Sequence, residues 1–207
     1  MAAIIFDFDG TIADSFDFVA TFLAEGANLP PLTGKQKQEL HSLSMAAMAR
    51  RLGYGWWRLP FLLFKGRRQM KGSIKQLQPF DGMPAVIRQL HADGYKLFIV
   101  TSNSVRNIHD FLHHHQLEAY FSEVTGSIGW FGKAGALRRL LKKHRLEVAS
   151  AIYIGDELRD VEAAQSIQLP VIAVTWGFAR PGDLTVLRPT GLAGSPPKLL
   201  SMLRELQ

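Results

Sequence analysis

Four short runs that are almost wholly apolar, at residues 4–6, 97–100, 152–154 and 171–174, constrain the fold more than any other feature of the chain. They sit within AIIFD (3–7), KLFIVT (96–101), AIYIG (151–155) and PVIAVT (170–175), and a fifth β-rich run is FSEVT (121–125). A strand with one wet face alternates apolar and polar residues. A strand apolar throughout needs cover on both faces, the condition of a parallel sheet between two helical layers. Helical patterns fill the intervals near 82–93, 104–115, 133–145 and 158–168, with a last one near 196–206, and Gly94 and Gly126 punctuate them. The alternation predicts an α/β chain with a doubly wound, mostly parallel, Rossmann-like sheet.

Residues 15–78 break this rhythm. They read as helical, interrupted by Gly, Pro and Trp (LGYGWWRLP), and they carry ten Lys/Arg against three Asp/Glu. The rest of the chain carries fourteen against fifteen, so the net charge of +6 comes from this one segment, which has no acid between Glu39 and Asp81. The expected division is an α/β core of 1–14 and 79–207, with an all-helical cap of 15–78 inserted over the carboxyl edge of the sheet. That edge is where open α/β sheets bind ligands.

With 47% apolar residues in 207, the chain can bury a substantial core. It has no cysteine, so disulfides and thiolate metal sites are excluded and any chemistry runs on oxygen and nitrogen groups. Asp7 and Asp9 interrupt the apolar start too early for a signal peptide, and no uncharged apolar stretch of about 18 residues predicts a membrane span. A cytoplasmic protein is expected.

The predicted strand ends converge in a parallel sheet, and they are polar. The first ends in Asp7-Phe8-Asp9-Gly10-Thr11, the second in Thr101-Ser102-Asn103-Ser104, and the fourth in Gly155-Asp156-Glu157, with Asp160 a turn later. Lys133 opens the helix after the third. Two carboxylates two residues apart at the end of a buried strand are costly unless they are paired or hold a metal. Together these residues suit phosphoryl transfer. A carboxylate attacks phosphorus; a hard cation such as Mg²⁺, on Asp7, Asp156 and Asp160, neutralises the repulsion between the two anions. Lys133 and Ser102 hold the transferring oxygens, and a second acid moves protons. Asp9 lies on the same side as Asp7 by the two-residue period. Gly10 permits the tight exit turn and Thr11 fixes it.

DFDGT, the strand ending in Ser102-Asn103, Lys133 and GDELRDVEAA, taken in order, resemble the four motifs of the haloacid dehalogenase-like superfamily. The helical insertion after the first motif resembles that of its phosphoglycolate phosphatase-like subgroup. The resemblance implies Asp7 as nucleophile and Asp9 as general acid/base. It implies Mg²⁺ on Asp7, the Asp9 backbone carbonyl and Asp156, supported by Asp160. The phosphate site it implies takes in Gly10, Thr11, Ser102, Asn103 and Lys133, and the substrate is a small phosphorylated metabolite. Glu157 stands where many relatives have Ser, and its role stays open. A phosphomutase, a phosphonate hydrolase and a 2-haloacid dehalogenase are the alternatives within the superfamily; the last has no need of Asp9 or Asp156.

Two other patterns lead nowhere. GSIGWFGKA has Ser127 where a nucleotide-binding loop needs Gly, and Ala134 after the lysine. His109, His113, His114 and His115 lack an acidic partner of the zinc-protease kind and read as an exposed helix face. The cap bases either solvate helix faces or focus an anionic substrate onto the site. The run from Trp56 to Phe64 beside them reads as the apolar side of a cap helix, with docking on an anionic membrane the weaker reading. No nucleic-acid partner is expected. Specificity is assigned to the cap and to Trp176-Gly177-Phe178, and neither the substrate nor the oligomeric state can be read.

Overall fold

The computed structural model describes residues 3–41, 43, 45–129 and 132–206, with Leu59 and Leu63 as backbone only. In chain order come β1 (Ala3–Phe6), β2 (Ala13–Asp14), α1 (Phe16–Gly26), α2 (Gly34–Leu40), α3 (Met45–Arg51), α4 (Leu59–Met70) and β3 (Gln78–Pro79). Then follow α5 (Met83–Ala92), β4 (Lys96–Val100), α6 (Val105–His114), β5 (Phe121–Thr125), α7 (Lys133–Lys143) and β6 (Ala151–Gly155). The chain closes with α8 (Leu158–Gln165), β7 (Val171–Val174), α9 (Pro181–Val186), β8 (Gly191–Ala193) and α10 (Pro196–Glu205). Six strands form one parallel sheet in the order β5-β4-β1-β6-β7-β8.

The five β-rich runs of the sequence become β1, β4, β5, β6 and β7. The sixth strand, β8, was not predicted, being three residues begun by Gly191 and followed by Gly194. The apolar runs divide by the two-residue period. Ile4, Phe6, Leu97 and Ile99 pack on one face with α5, α6 and α10 through Met83, Ile87, Ile108, Phe111 and Leu199. Ala3, Ile5, Phe98 and Val100 face the other way, onto α7, α8 and α9 through Leu137, Leu140, Val161 and Leu184. Each large apolar side chain so buried contributes about 1.5–3 kcal/mol, so the two layers hold the sheet from both sides.

Four helices, α1 to α4, lie between β2 and β3. Those two strands pair antiparallel, Ala13 opposite Pro79 and Asp14 opposite Gln78, and so clamp both ends of the segment. The helices have a core of their own, built from Val19, Phe22, Leu23, Leu40, Met48, Tyr54 and Leu62, which Phe178 joins from the sheet side. The Tyr54 hydroxyl donates to the Leu23 carbonyl at 2.8 Å, so the polar end of that side chain is satisfied inside the core.

The aromatic run differs from expectation. Leu62 is buried, but Trp56, Trp57, Phe61 and Phe64 are 73, 63, 63 and 62% exposed. Phe61 and Phe64 fall three apart on α4, on a face that these helices do not cover. No helix among the described residues is long and apolar enough to cross a membrane. His109, His113 and His114 are exposed as expected, His109 pairing with Glu118 at 2.7 Å, whereas His115 is half-buried and meets the Leu77 carbonyl at 2.9 Å.

Candidate active site

The site forms where β1, β4 and β6 end side by side. The Asp7 amide donates to the Ile154 carbonyl at 2.8 Å, which carries the β1–β6 ladder one residue past the strand. The chain then turns sharply, with the amides of Thr11, Ile12 and Ala13 all converging on the Phe8 carbonyl. Gly10 makes this turn at φ +79°, and a Cβ there would collide with Asp156 and Phe178. Only glycine fits both the backbone conformation and the space.

Lys133, the first residue of α7, is buried and points its ammonium into the cluster. Its Nζ donates to Asp7 Oδ2 at 2.8 Å and also to Asp160 Oδ1. Asp160 Oδ2 accepts the backbone amides of Asp156 at 3.2 Å and Glu157 at 3.0 Å, tying the start of α8 to the end of β6. Asp156 is fixed at both oxygens: Oδ1 accepts from the Thr11 hydroxyl at 2.8 Å and Oδ2 from the Phe178 amide at 2.8 Å. Asp9 Oδ2 accepts from Asn103 Nδ2 at 3.0 Å. Ser102 Oγ accepts from Arg159 Nη1 at 3.1 Å, and Arg159 pairs with Glu157 at 2.9 Å.

All nine residues expected at the site therefore lie around one cluster, although they come from separate elements. Thr11 is committed through its hydroxyl to Asp156, and Trp176 Nε1 donates to its carbonyl at 3.1 Å. Two cations have a larger part than their sequence context suggested. Arg159 reads in sequence as a partner for Asp160; it is mostly buried and reaches Ser102. Arg67 reads as one base among ten on the insertion, but it lines the cavity beside Asp9 and Ser102. The position of Arg159, in the first turn of α8 and three residues after Asp156, is the available clue; Arg67 has none. Trp130 and Phe131, of the GSIGWFGKA segment, lie outside the described residues.

The electrostatics follow from burial. Burial pushes the Asp7 carboxyl up to about 7, although Lys133 pulls it back. Burial, with Asp160 and Glu157 adding repulsion, raises Asp156 well above the usual carboxylate range. Asp9 is also raised by burial, against the hydrogen bond from Asn103. Burial acts the same way on Asp160, but Lys133 and Arg159 outweigh it and hold that carboxyl below its ordinary value. Burial would lower Lys133, but Asp160 and Asp7 raise it, so it stays charged.

Asp7, Asp156 and Asp160 bring carboxylate oxygens within 4.8 Å of one another. Asp7, Asp156, Glu157 and Asp160 are buried and Asp9 is half-buried, against three cations, Lys133, Arg159 and, beside Asp9, Arg67. So large an excess of buried negative charge calls for a counter-charge. A hard divalent cation with oxygen ligands fits that donor set.

A sequence profile of the haloacid dehalogenase-like hydrolases matches residues 4–174. The chain belongs to that family. Phosphoglycolate phosphatase of Synechococcus elongatus is 35% identical to it over 209 residues, covering 100% of this chain and 99% of the relative. Phosphoglycolate phosphatase of Vibrio cholerae is 25% identical, covering 84% of each. Among solved structures, a predicted phosphatase from Clostridium acetobutylicum superposes with a TM-score of 0.80 at 22% identity, covering 99% of this chain and 98% of that one. At that identity the likeness speaks for the fold. The enzyme is a phosphoric monoester hydrolase of the haloacid dehalogenase-like family.

Proposed function

We propose that the enzyme hydrolyses a small phosphorylated metabolite by attack of Asp7, in a Mg²⁺-dependent reaction. The observation that carries this reading is the Lys133 bridge between Asp7 and Asp160 within an acid-rich, buried cluster. Asp7, the Asp9 carbonyl and Asp156 would hold the cation, with Asp160 behind them. When bound, it supplies positive charge that keeps Asp7 ionised and screens it from the phosphate.

Lys133 holds Asp7 through Oδ2, which leaves Oδ1 to attack phosphorus. The P–O bond to the leaving group breaks, and Asp9, its carboxyl raised by burial, gives the departing alkoxide a proton. Asp9 then takes a proton from water, which attacks the phosphorus of the aspartyl phosphate and frees inorganic phosphate and Asp7. Ser102, Asn103 and Lys133 cradle the phosphate oxygens, and Gly10 and Thr11 shape the turn that aims Asp9.

Residues 15–78 act as a cap that excludes bulk water over the reacting bond. The Synechococcus relative makes 2-phosphoglycolate the first substrate to test, and a cytoplasmic setting belongs to the same reading. The purified enzyme should hydrolyse 2-phosphoglycolate with Mg²⁺, lose the activity to EDTA and regain it with excess Mg²⁺. Turnover indifferent to EDTA would contradict the metal-dependent mechanism.

A further inference from the structure

Arg67 lies on α4, in the basic segment whose other cations are mainly exposed. It is turned inward instead. Its Nη2 donates to the Ile128 carbonyl at 2.7 Å, and its own carbonyl accepts from Asn107 Nδ2 at 2.9 Å. Those two bonds hold it at the seam between the helical insertion and the sheet. Its Nε is buried with no hydrogen-bond partner, and among the described residues no carboxylate forms an ion pair with it. Burial works against its charge, Asp9 supports it and Arg159 opposes it. A half-buried guanidinium whose buried Nε–H has no partner is costly to keep, and an arriving anion relieves the cost.

The cavity that Arg67 lines shows where such an anion would sit. Asp9, Ser102, Asn103 and Arg159 share it, whereas Asp7 and Lys133 do not line it. In the proposed mechanism Ser102 and Asn103 cradle the phosphate and Asp9 protonates the leaving oxygen, so the cavity, which Glu157 also lines, takes in the leaving group beside the phosphate. Phe22, Leu62 and Phe178 give it apolar walls.

Resting on the phosphatase reading above, we propose that Arg67 binds a carboxylate on the leaving group. The preferred substrates are then phosphate monoesters with a carboxylate close to the ester oxygen. Arg159 is already engaged by Ser102 and Glu157, so it steadies the phosphate side and leaves the carboxylate to Arg67. The guanidinium presents parallel donors to a planar carboxylate, a geometry that a lysine cannot reproduce.

Two probes of nearly equal size separate this from general damage: 2-phosphoglycolate, and 2-hydroxyethyl phosphate, in which CH₂OH replaces the carboxylate. The readout is the ratio of kcat/KM for the first over the second, at saturating Mg²⁺. Wild-type enzyme should favour the carboxylate ester by about 100-fold, the scale of hydrogen bonds to a charged group. Arg67→Met should erase most of that preference, chiefly through KM, and Arg67→Lys should fall between. An unchanged ratio in Arg67→Met, even with both rates reduced, would overturn the assignment. So would wild-type enzyme that hydrolyses both esters without preference, a test that needs no variant to fold. Wild-type enzyme that hydrolyses neither ester but turns over an aryl phosphate with Mg²⁺ would overturn the assignment alone, and enzyme inactive on all three would overturn the proposed mechanism as well.

Discussion

At the scale of single residues, Lys133 governs the site because it serves two carboxylates at once. Lys133→Met would leave Asp7 and Asp160 buried without their cation, and removing one partner of a buried pair costs about 3–5 kcal/mol. Urea unfolding at neutral pH should show a loss of that order, and phosphatase activity should vanish. The raised carboxyls make a second prediction. Asp7, Asp9 and Asp156 bind protons more tightly in the folded chain than in the unfolded one. Between 3.8 and about 7, where Asp7 titrates, the folded state therefore carries more protons, and stability falls as pH rises. Asp160 has the opposite sign, but its depressed value confines its effect below 3.8, and raised Lys133 acts above 10.5. The urea midpoint of metal-free protein should drop from about pH 5 to about pH 7.5, with Mg²⁺ restoring most at the higher pH. A midpoint that rises over that range would contradict the account.

At the scale of elements, much of the fold could be read because its signals are local. Strands apolar on both faces announced a parallel sheet, and DFDGT and GDELRD fall at strand ends because the turns there need Gly10 and the Asp160 carboxylate. What escaped notice depends on distant packing. β8 is too short to show a period, and α9 begins with Pro181-Gly182, which reads as a turn. The inward turn of Arg67 is set by Ile128 and Asn107, residues 61 and 40 positions away. The aromatic run misled for the complementary reason: hydrophobicity predicts burial, but among the described residues Phe61 and Phe64 stay mainly exposed on α4. The α4–α6 seam can be tested directly. Asn107 Nδ2 donates to both the Arg67 carbonyl and Asn103 Oδ1 at 2.9 Å. Asn107→Ala should cost about 1–3 kcal/mol in unfolding experiments, because buried acceptors lose their donor. It should also raise KM more than it lowers kcat, since it loosens Arg67 and Asn103 and leaves Asp7 untouched.

At the scale of the molecule, the two parts divide the work. The sheet gathers Asp7, Ser102, Lys133 and Asp156 from four places in the sequence, where its parallel strands all end on one edge. The helical insertion adds the wall and Arg67, and the β2–β3 clamp fixes where it leaves and rejoins the sheet. On the proposed reading chemistry and selectivity vary separately: changes at the sheet edge should alter the reaction, and changes on α1 or α4 should alter what reacts. The central claim is that Asp7 carries the phosphoryl group. Acid quenching of the Mg²⁺-loaded enzyme during turnover of 2-phosphoglycolate, followed by peptide mass spectrometry, tests it most directly. One phosphoryl group should appear on the peptide containing Asp7, and should be absent, with turnover abolished, in Asp7→Asn. An Asp7→Asn enzyme that keeps full turnover would contradict the account.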